Sequence, residues 1–130
     1  MENVQLHYQY RDAHGSKRCA YVIFANPDNL KPEEIELRLE RALWEGEFFV
    51  ADQIRIPEVF LYLDGTLDDE LDHCFHHFDS VDLTSETPTD KYNRSIRQFI
   101  REVEDQSQRG WQLFDPIHRL RNLEPNRSNA

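Results

Sequence analysis

Polar and hydrophobic residues alternate from the start of the chain. In segment 3–11 the apolar residues occupy every second position, and polar residues lie between them. A period of two predicts a half-buried β-strand. Residues 18–25 are apolar on both faces, which indicates a more central strand with Cys19 as a small core residue. A polar loop joins the two segments, so together they predict an antiparallel hairpin.

Two later segments show the spacing of an amphipathic helix. The first covers residues 32–44, where Pro32 suits the first helical position. The second covers residues 90–109, and either Thr89 or Asp90 can cap it. The predicted apolar faces consist of Ile35, Leu39, Ala42 and Leu43 in the first helix, and of Tyr92, Ile96, Phe99, Ile100 and Val103 in the second.

Charged residues cover the outer faces of both predicted helices. Glu34 and Arg38 are four residues apart and predict a favourable pair on the first helix. Arg94, Arg97 and Arg101 form a row on the second helix. We expect this row to be a solvated face, or to pack against acidic residues within the chain or across a dimer interface.

The middle of the chain is predicted to be extended. Residues 47–63 form two segments broken at Pro57, which confines the adjoining strand to an edge or a bulge. Asp64 and Gly65 signal a tight turn, and residues 73–83 predict a last strand. The predicted fold is α+β, with a mostly antiparallel sheet of about four or five strands, a packed amphipathic helix and a C-terminal helical extension.

The length of 130 residues favours one domain. We predict a single α+β domain at residues 1–123 and a polar tail at 124–130. Within that domain, residues 1–88 hold the sheet and first helix, and residues 89–123 hold the C-terminal helices. Only 38% of the residues are hydrophobic and 31% are charged, so the core is modest and the surface is strongly polar.

Acidic residues concentrate in the middle of the chain. The net charge is −10, and residues 56–90 contain ten acidic residues without a single Lys or Arg. This distribution disfavours direct nucleic-acid binding, because phosphates need a basic surface. It suits a basic protein partner or a cation, and it is equally typical of a solvated acidic face that keeps a protein in solution.

Several features predict a cytoplasmic location. No run of 18 apolar residues is present, so we expect no membrane-spanning helix. The first ten residues have neither the basic nor the apolar region of a secretory signal. Two cysteines are too few for a disulfide framework, which favours a reducing compartment.

The stretch FLYLDGTLDDE at residues 60–70 resembles the opening motif of haloacid-dehalogenase phosphatases. Asp64, Gly65 and Thr66 match the acid/base aspartate and the turn of that motif. Tyr62 stands where the family has its nucleophilic aspartate, and a phenol does not replace a carboxylate that must form an aspartyl phosphate. We therefore interpret the stretch as a tight turn and not as an active site.

A cluster of metal-binding residue types follows the acidic segment. The candidate zinc ligands are His73, Cys74, His76 and His77. Strand alternation places Cys74 and His76 on one side and His73 and His77 on the other, so one face supplies two ligands at most. A complete site would need residues from elsewhere, such as His7, His14 or His118. Neighbouring carboxylates could also make these histidines sensitive to pH.

The sequence supports two alternative functions. The favoured one is a non-catalytic protein-interaction module that acts as a regulatory, inhibitory or accessory subunit and needs no cofactor. One version is an inhibitor of a nucleic-acid enzyme whose acidic face mimics phosphate. The alternative is a zinc-binding protein or a metal-dependent hydrolase that uses the His/Cys cluster. The partner-binding residues predicted for the module are Asp68, Asp69, Glu70, Asp72, Trp111 and Phe114. A protein partner is expected, and a homodimer is a further alternative.

The order of features over residues 1–90 resembles that of small uncharacterised bacterial proteins. The features are YRD on the first strand, Phe24-Ala25-Asn26-Pro27, a short amphipathic helix and a late strand rich in Phe and His. The resemblance implies a bacterial source and no particular activity.

Overall fold

A four-stranded antiparallel sheet carries the fold. The computed structural model describes residues 2–61 and 72–116. The strands are β1 (Asn3–Arg11), β2 (Lys17–Phe24), β3 (Phe48–Phe49) and β4 (His76–Thr84), in the spatial order β2-β1-β4-β3. The helices are α1 (Pro32–Ala42) and α2 (Ile96–Arg109), with a 3-10 turn at Ala51–Ile54. The predicted α+β class, the antiparallel sheet and the C-terminal helix are confirmed.

The first strand forms as its alternation predicts. Val4, Leu6, Tyr8 and Tyr10 are buried, and the residues between them lie on the opposite face. β1 pairs with β2 on one side and with β4 on the other, so it is the strand with the largest share of the core. A bulge at Asp79 interrupts the β1–β4 register, because His7 lies opposite Ser80 while Tyr8 lies opposite Phe78.

The second strand is an edge strand, which corrects the prediction of a central one. Its apolar end is covered by the segment before α2 instead of by another strand. The Thr89 N–H donates to the Ile23 carbonyl (2.8 Å), and the Ile96 N–H donates to the Ala25 carbonyl (2.8 Å). Cys19, expected in the core, is exposed on the uncovered half of β2.

The two helices pack against the same face of the sheet. The predicted stripe of α1 is confirmed, since Ile35, Leu39 and Ala42 are buried, together with Leu43 just after the helix. Arg38 donates two hydrogen bonds (2.8 and 3.2 Å) to Glu104 of α2, so its close partner lies on the other helix rather than at Glu34. This ion pair links the two helices at the border of their shared apolar core.

The second helix begins at Ile96, six residues later than the lower end of the predicted range. Ser95 caps it, and Ser95 and Gln98 form a reciprocal capping box. The residues before the cap form a turn around Arg94, which is only 5% exposed and therefore does not belong to a solvated helix face. Tyr92, predicted on the apolar face, is exposed.

Arg94 satisfies all its donors inside the protein, in an arrangement that we call the Arg94 clamp. Its guanidinium makes two hydrogen bonds to the Asp90 carboxylate (2.9 and 3.0 Å) and a further bond to Glu102. It also donates to the carbonyls of Ile54 (2.8 Å) and Arg55 (2.9 Å). Burial opposes ionisation of Asp90, but the bonds from Arg94 outweigh it and lower the pKa of that carboxyl. The clamp joins the turn after β3 to the start of α2.

The middle of the chain is less extended than predicted. β3 has two residues, and after the 3-10 turn Arg55 takes a left-handed conformation (φ 58°) before Pro57. β4 begins at His76 instead of residue 73. The turn predicted at residues 64–65 and everything predicted beyond residue 116 lie outside the described residues. Within the described ranges no helix has the length and apolarity needed to cross a membrane.

Candidate functional site

A tight turn projects two aromatic residues from the end of α1. The Trp44 N–H donates to the Phe48 carbonyl (2.8 Å), and the Phe48 N–H donates back to Trp44 (2.9 Å). Glu45 (φ 52°) and Gly46 (φ 81°) both take left-handed conformations, which Gly46 adopts at little steric cost. Residues paired in this way face the same side of a ribbon, so Trp44 and Phe48 project together.

Four rings form a continuous surface that we call the aromatic patch: Trp44, Phe48, Phe75 and His77. Phe48 lies opposite His77 in the sheet, and their rings meet edge to face with centroids 4.4 Å apart. The Phe75 ring lies 5.7 Å from Phe48 and 5.8 Å from Trp44. His77 is paired with Gln9, on the sheet face opposite the core. Trp44 is 42% exposed, so the patch presents a large ring to solvent.

Acidic residues border the aromatic patch. Glu45 and Glu47 belong to the turn that carries Trp44, and Glu47 Oε1 lies 3.8 Å from His77 Nδ1. Burial lowers the pKa of His77 and outweighs the opposing effect of Glu47. His77 is therefore neutral at pH 7 and does not offset the charge of Glu47. Asp82, further along β4, lies at the surface and accepts a hydrogen bond from His7 (3.1 Å).

The described residues of the predicted partner-binding set lie elsewhere. Trp111 is 9% exposed and donates to the Ala42 carbonyl (3.3 Å), so it closes the core and is removed from the candidate surface. Phe114 is partly buried, with its ring 6.2 Å from Phe60. Asp72 accepts a hydrogen bond from the Tyr10 hydroxyl (2.7 Å). The remaining predicted residues, Asp68, Asp69 and Glu70, lie outside the described ranges.

The four candidate zinc ligands point in different directions. His73 Nε2 bonds to the Arg11 carbonyl (2.7 Å), and His73 Nδ1 accepts from the Phe75 N–H (3.0 Å), so both ring nitrogens are engaged. Cys74 is buried, and burial raises the pKa of its thiol. Residues 2–61 and 72–116 contain no group of three His, Cys, Asp or Glu side chains arranged to hold a metal ion. The zinc site stays a prediction without a supporting contact.

His76 is fully buried in a cage of aromatic rings. The rings of Phe60, Tyr10, Tyr8 and Phe49 have centroids between 4.5 and 6.0 Å from the imidazole. His76 Nε2 accepts from the Val59 N–H (2.9 Å), which leaves the proton on Nδ1. In the part of the chain that the structure describes, Nδ1 has no hydrogen-bond partner. Burial, reinforced by the nearby charges of His73 and His77, lowers the pKa of His76 to about 3.

The sequence patterns did not single out Trp44 or Phe48, so they did not predict the aromatic patch. One signal was present, because Glu45-Gly46 between two aromatic residues is typical of a tight turn. The alternation of residues 74–77 did predict that Cys74 and His76 lie on the opposite side from His77, and this is confirmed.

No protein-family model, no curated protein and no solved structure matches this chain.

Proposed function

We propose that the chain is a small, non-catalytic protein-interaction module that acts as a regulatory, inhibitory or accessory subunit. The observation that carries the proposal is the exposure of Trp44 within the aromatic patch, next to the carboxylates of Glu45 and Glu47. Tryptophan at the centre of a rigid surface is the residue type that contributes most to protein–protein binding.

The surroundings of Trp44 define the partner. A buried contact over the indole and the Phe75 ring favours an apolar or cationic side chain, because ring faces attract Lys and Arg. Glu45 and Glu47 favour positive charge at the border of the same contact. The partner we propose is therefore a protein segment with Lys or Arg beside apolar residues.

The acidic segment supplies further candidate contacts for a basic partner. Asp72 lies four residues before β4, and Asp68, Asp69 and Glu70 precede it in sequence. We include these four carboxylates in the proposed interaction as charges that attract a basic partner. The version in which the acidic face mimics phosphate and blocks a nucleic-acid enzyme is kept as one form of this proposal.

A comparison of two exposed residues tests the proposal. Trp44 is 42% exposed on the patch, and Leu37 is 47% exposed on α1. The wild-type protein, Trp44→Ala and Leu37→Ala are each used as bait in native lysate, and the retained proteins are quantified by mass spectrometry. We expect a partner that wild type and Leu37→Ala retain equally and that Trp44→Ala loses by about tenfold or more, the loss typical of a central tryptophan.

Salt washes and charge-reversal variants distinguish the contribution of the aromatic rings from that of the carboxylates. Washing at high salt is expected to weaken but not abolish retention, since screening affects the carboxylates more than the rings. Charge reversal at Asp68, Asp69, Glu70 and Asp72 tests the phosphate-mimic version, which fails if binding does not respond. Equal retention by Trp44→Ala and wild type overturns the proposed role of the patch.

A further inference from the structure

Among the described residues, the half of β2 before Ile23 has a row of backbone groups without partners. Ile23 donates to Thr89 Oγ1 (2.9 Å) and accepts from the Thr89 N–H (2.8 Å), so its backbone groups point away from β1. In an antiparallel pair every second residue points the same way, so Tyr21, Cys19 and Lys17 share this direction. Across residues 2–61 and 72–116 nothing bonds to the outward backbone groups of these three residues. We call this stretch the open β2 edge.

The chain itself shows that this edge accepts further backbone. Beyond the open part, Thr89 bonds to Ile23, and Ser95 forms a parallel bridge with Ala25. The covering segment stops at Thr89, just where the open edge begins. A strand added there would continue the pairing that the protein starts with its own residues.

A cleft lies beside the end of the open edge. It has a volume of about 230 Å³, and its walls include Tyr21, Val22, Arg55, Pro57 and Lys91. Ligand pockets typically measure about 300–1,000 Å³, so this cleft is too small for a whole ligand but large enough for one peptide side chain. In strand addition, backbone bonds supply affinity and such pockets select alternate side chains.

The charges around the cleft favour an acidic side chain. Lys91 lines the cleft, whereas Lys17 lies at the far end of the open β2 edge. Among the described residues neither lysine has an ion-pair partner. The Asp90 carboxylate is buried against Arg94 and does not offset them. Arg55 adds positive charge at the wall, stacked 4.4 Å from the Tyr92 ring centroid and paired with Glu102. This basic site lies on a chain whose net charge is −10.

We propose that the open β2 edge binds an extended acidic peptide segment as an additional strand, with one acidic side chain in the cleft beside Lys91. This surface lies at the opposite end of the sheet from the aromatic patch and would take a partner of opposite charge. A second copy of the chain is a poorer occupant, since its own open edge brings Lys17 and Arg18 and no carboxylate.

The test uses a blocked hexapeptide of alternating valine and glutamate, titrated into ¹⁵N-labelled full-length protein. We expect saturable shifts at the amides of Lys17, Cys19, Tyr21 and Lys91, and slower solvent exchange of the three edge amides. A matched peptide of alternating valine and lysine is expected to cause none of these changes. A glutamate peptide N-methylated at alternate positions, which cannot pair with the edge on that side, should also fail to bind.

Two variants test separately how charge and backbone pairing contribute to peptide binding. Lys91→Glu should weaken binding by about threefold to tenfold, the range for a charge at the border of an interface, whereas Arg101→Glu on the exposed side of α2 should not. Cys19→Pro should abolish binding, because it removes one outward N–H from an edge strand that tolerates proline. If Cys19→Pro does not fold, the N-methylated peptide tests the same bond in the wild-type protein.

Four results would overturn the proposal. The first is the absence of shifts up to about 1 mM peptide, which corresponds to a binding free energy weaker than about −4 kcal/mol. The second is equal binding of the lysine peptide, and the third is a set of shifts centred on the aromatic patch. The fourth is edge shifts that depend on protein concentration without peptide. The last result would assign the edge to a second copy of the chain.

Discussion

Acidification is expected to destabilise the protein through His76. The folded-state pKa of about 3 lies below the ordinary value of 6.5, so the folded protein holds this histidine neutral where the unfolded chain would protonate it. The stability that comes from the neutral form is complete above pH 6.5. It is lost progressively as the pH falls from 6.5 towards 3.

The expected loss in the free energy of unfolding is large for a protein of this size. Each pKa unit corresponds to about 1.4 kcal/mol, so lowering the pH from 7 to 5 removes about 2 kcal/mol through this one group. The protonated forms of His73 and His77 reinforce the effect of burial on the pKa of His76. Burial raises the pKa of Tyr8 and of Tyr10, so the hydroxyls beside the imidazole stay neutral and supply no compensating negative charge.

Urea unfolding at pH 7 and pH 5 measures this loss. Wild type is compared with His76→Phe, which keeps a ring in the cage and cannot be protonated, and with His14→Gln in an exposed loop. His76→Phe leaves the Val59 N–H without its acceptor, so we expect the free energy of unfolding at pH 7 to fall by about 1–3 kcal/mol. Between pH 7 and pH 5, the free energy of unfolding of His76→Phe should fall by about 2 kcal/mol less than that of wild type and that of His14→Gln. Equal pH dependence in all three proteins would refute the assignment to His76.

Three further predictions concern the Arg94 clamp, the cap of α2 and the exposure of Trp44. Asp90→Asn should lower the free energy of unfolding by about 3–5 kcal/mol, because it leaves the buried Arg94 without its carboxylate. Asp28→Asn, which affects an exposed pair with Arg97 at 3.6 Å, should cost less than about 1 kcal/mol in the same urea assay. Ser95→Ala should cost about 1 kcal/mol by removing the cap of α2, measured as a shift of the urea midpoint with an unchanged slope. Acrylamide should quench the fluorescence of a Trp111→Phe variant, which retains the exposed indole, more strongly than that of wild type.

Each of these predictions has a contradicting result. Equal losses for Asp90→Asn and Asp28→Asn would mean that the Arg94 clamp contributes no more than a surface pair. A Ser95→Ala midpoint equal to wild type would mean that the capping box is not needed for α2. Reduced quenching in the Trp111→Phe variant would place the exposed indole at Trp111 and contradict the exposure of Trp44.

Local sequence patterns correctly predicted the elements that bury only one face. β1 formed over residues 3–11 because its alternation alone decides which face is buried. The stripe of α1 was predictable for the same reason. β2 was placed centrally because Val22, Ile23 and Phe24 are all apolar, and periodicity cannot distinguish a strand covered by another strand from one covered by a loop.

Features that depend on distant residues were not predictable in this way. Arg94 lies four residues from Asp90 and fits a helical period, yet both residues precede the helix, and the clamp requires carbonyls from residues 54–55. The aromatic patch likewise combines a turn after α1 with the start of β4. Only the pairing of Phe48 with His77, which no sequence period specifies, brings its two halves together.

The segment that covers the end of β2 makes the C-terminal part of the chain a structural component of the sheet rather than an appendage. Residues 85–88, just before this segment, are all exposed, so a cut there severs a surface loop and leaves every element whole. The two fragments would then carry matching halves of the interface, with Asp90, Arg94 and α2 on one and Ile23, Ala25 and the carbonyls of residues 54–55 on the other. The protein is therefore suited to fragment complementation, in which two separately expressed pieces restore one fold and report the proximity of whatever is fused to them.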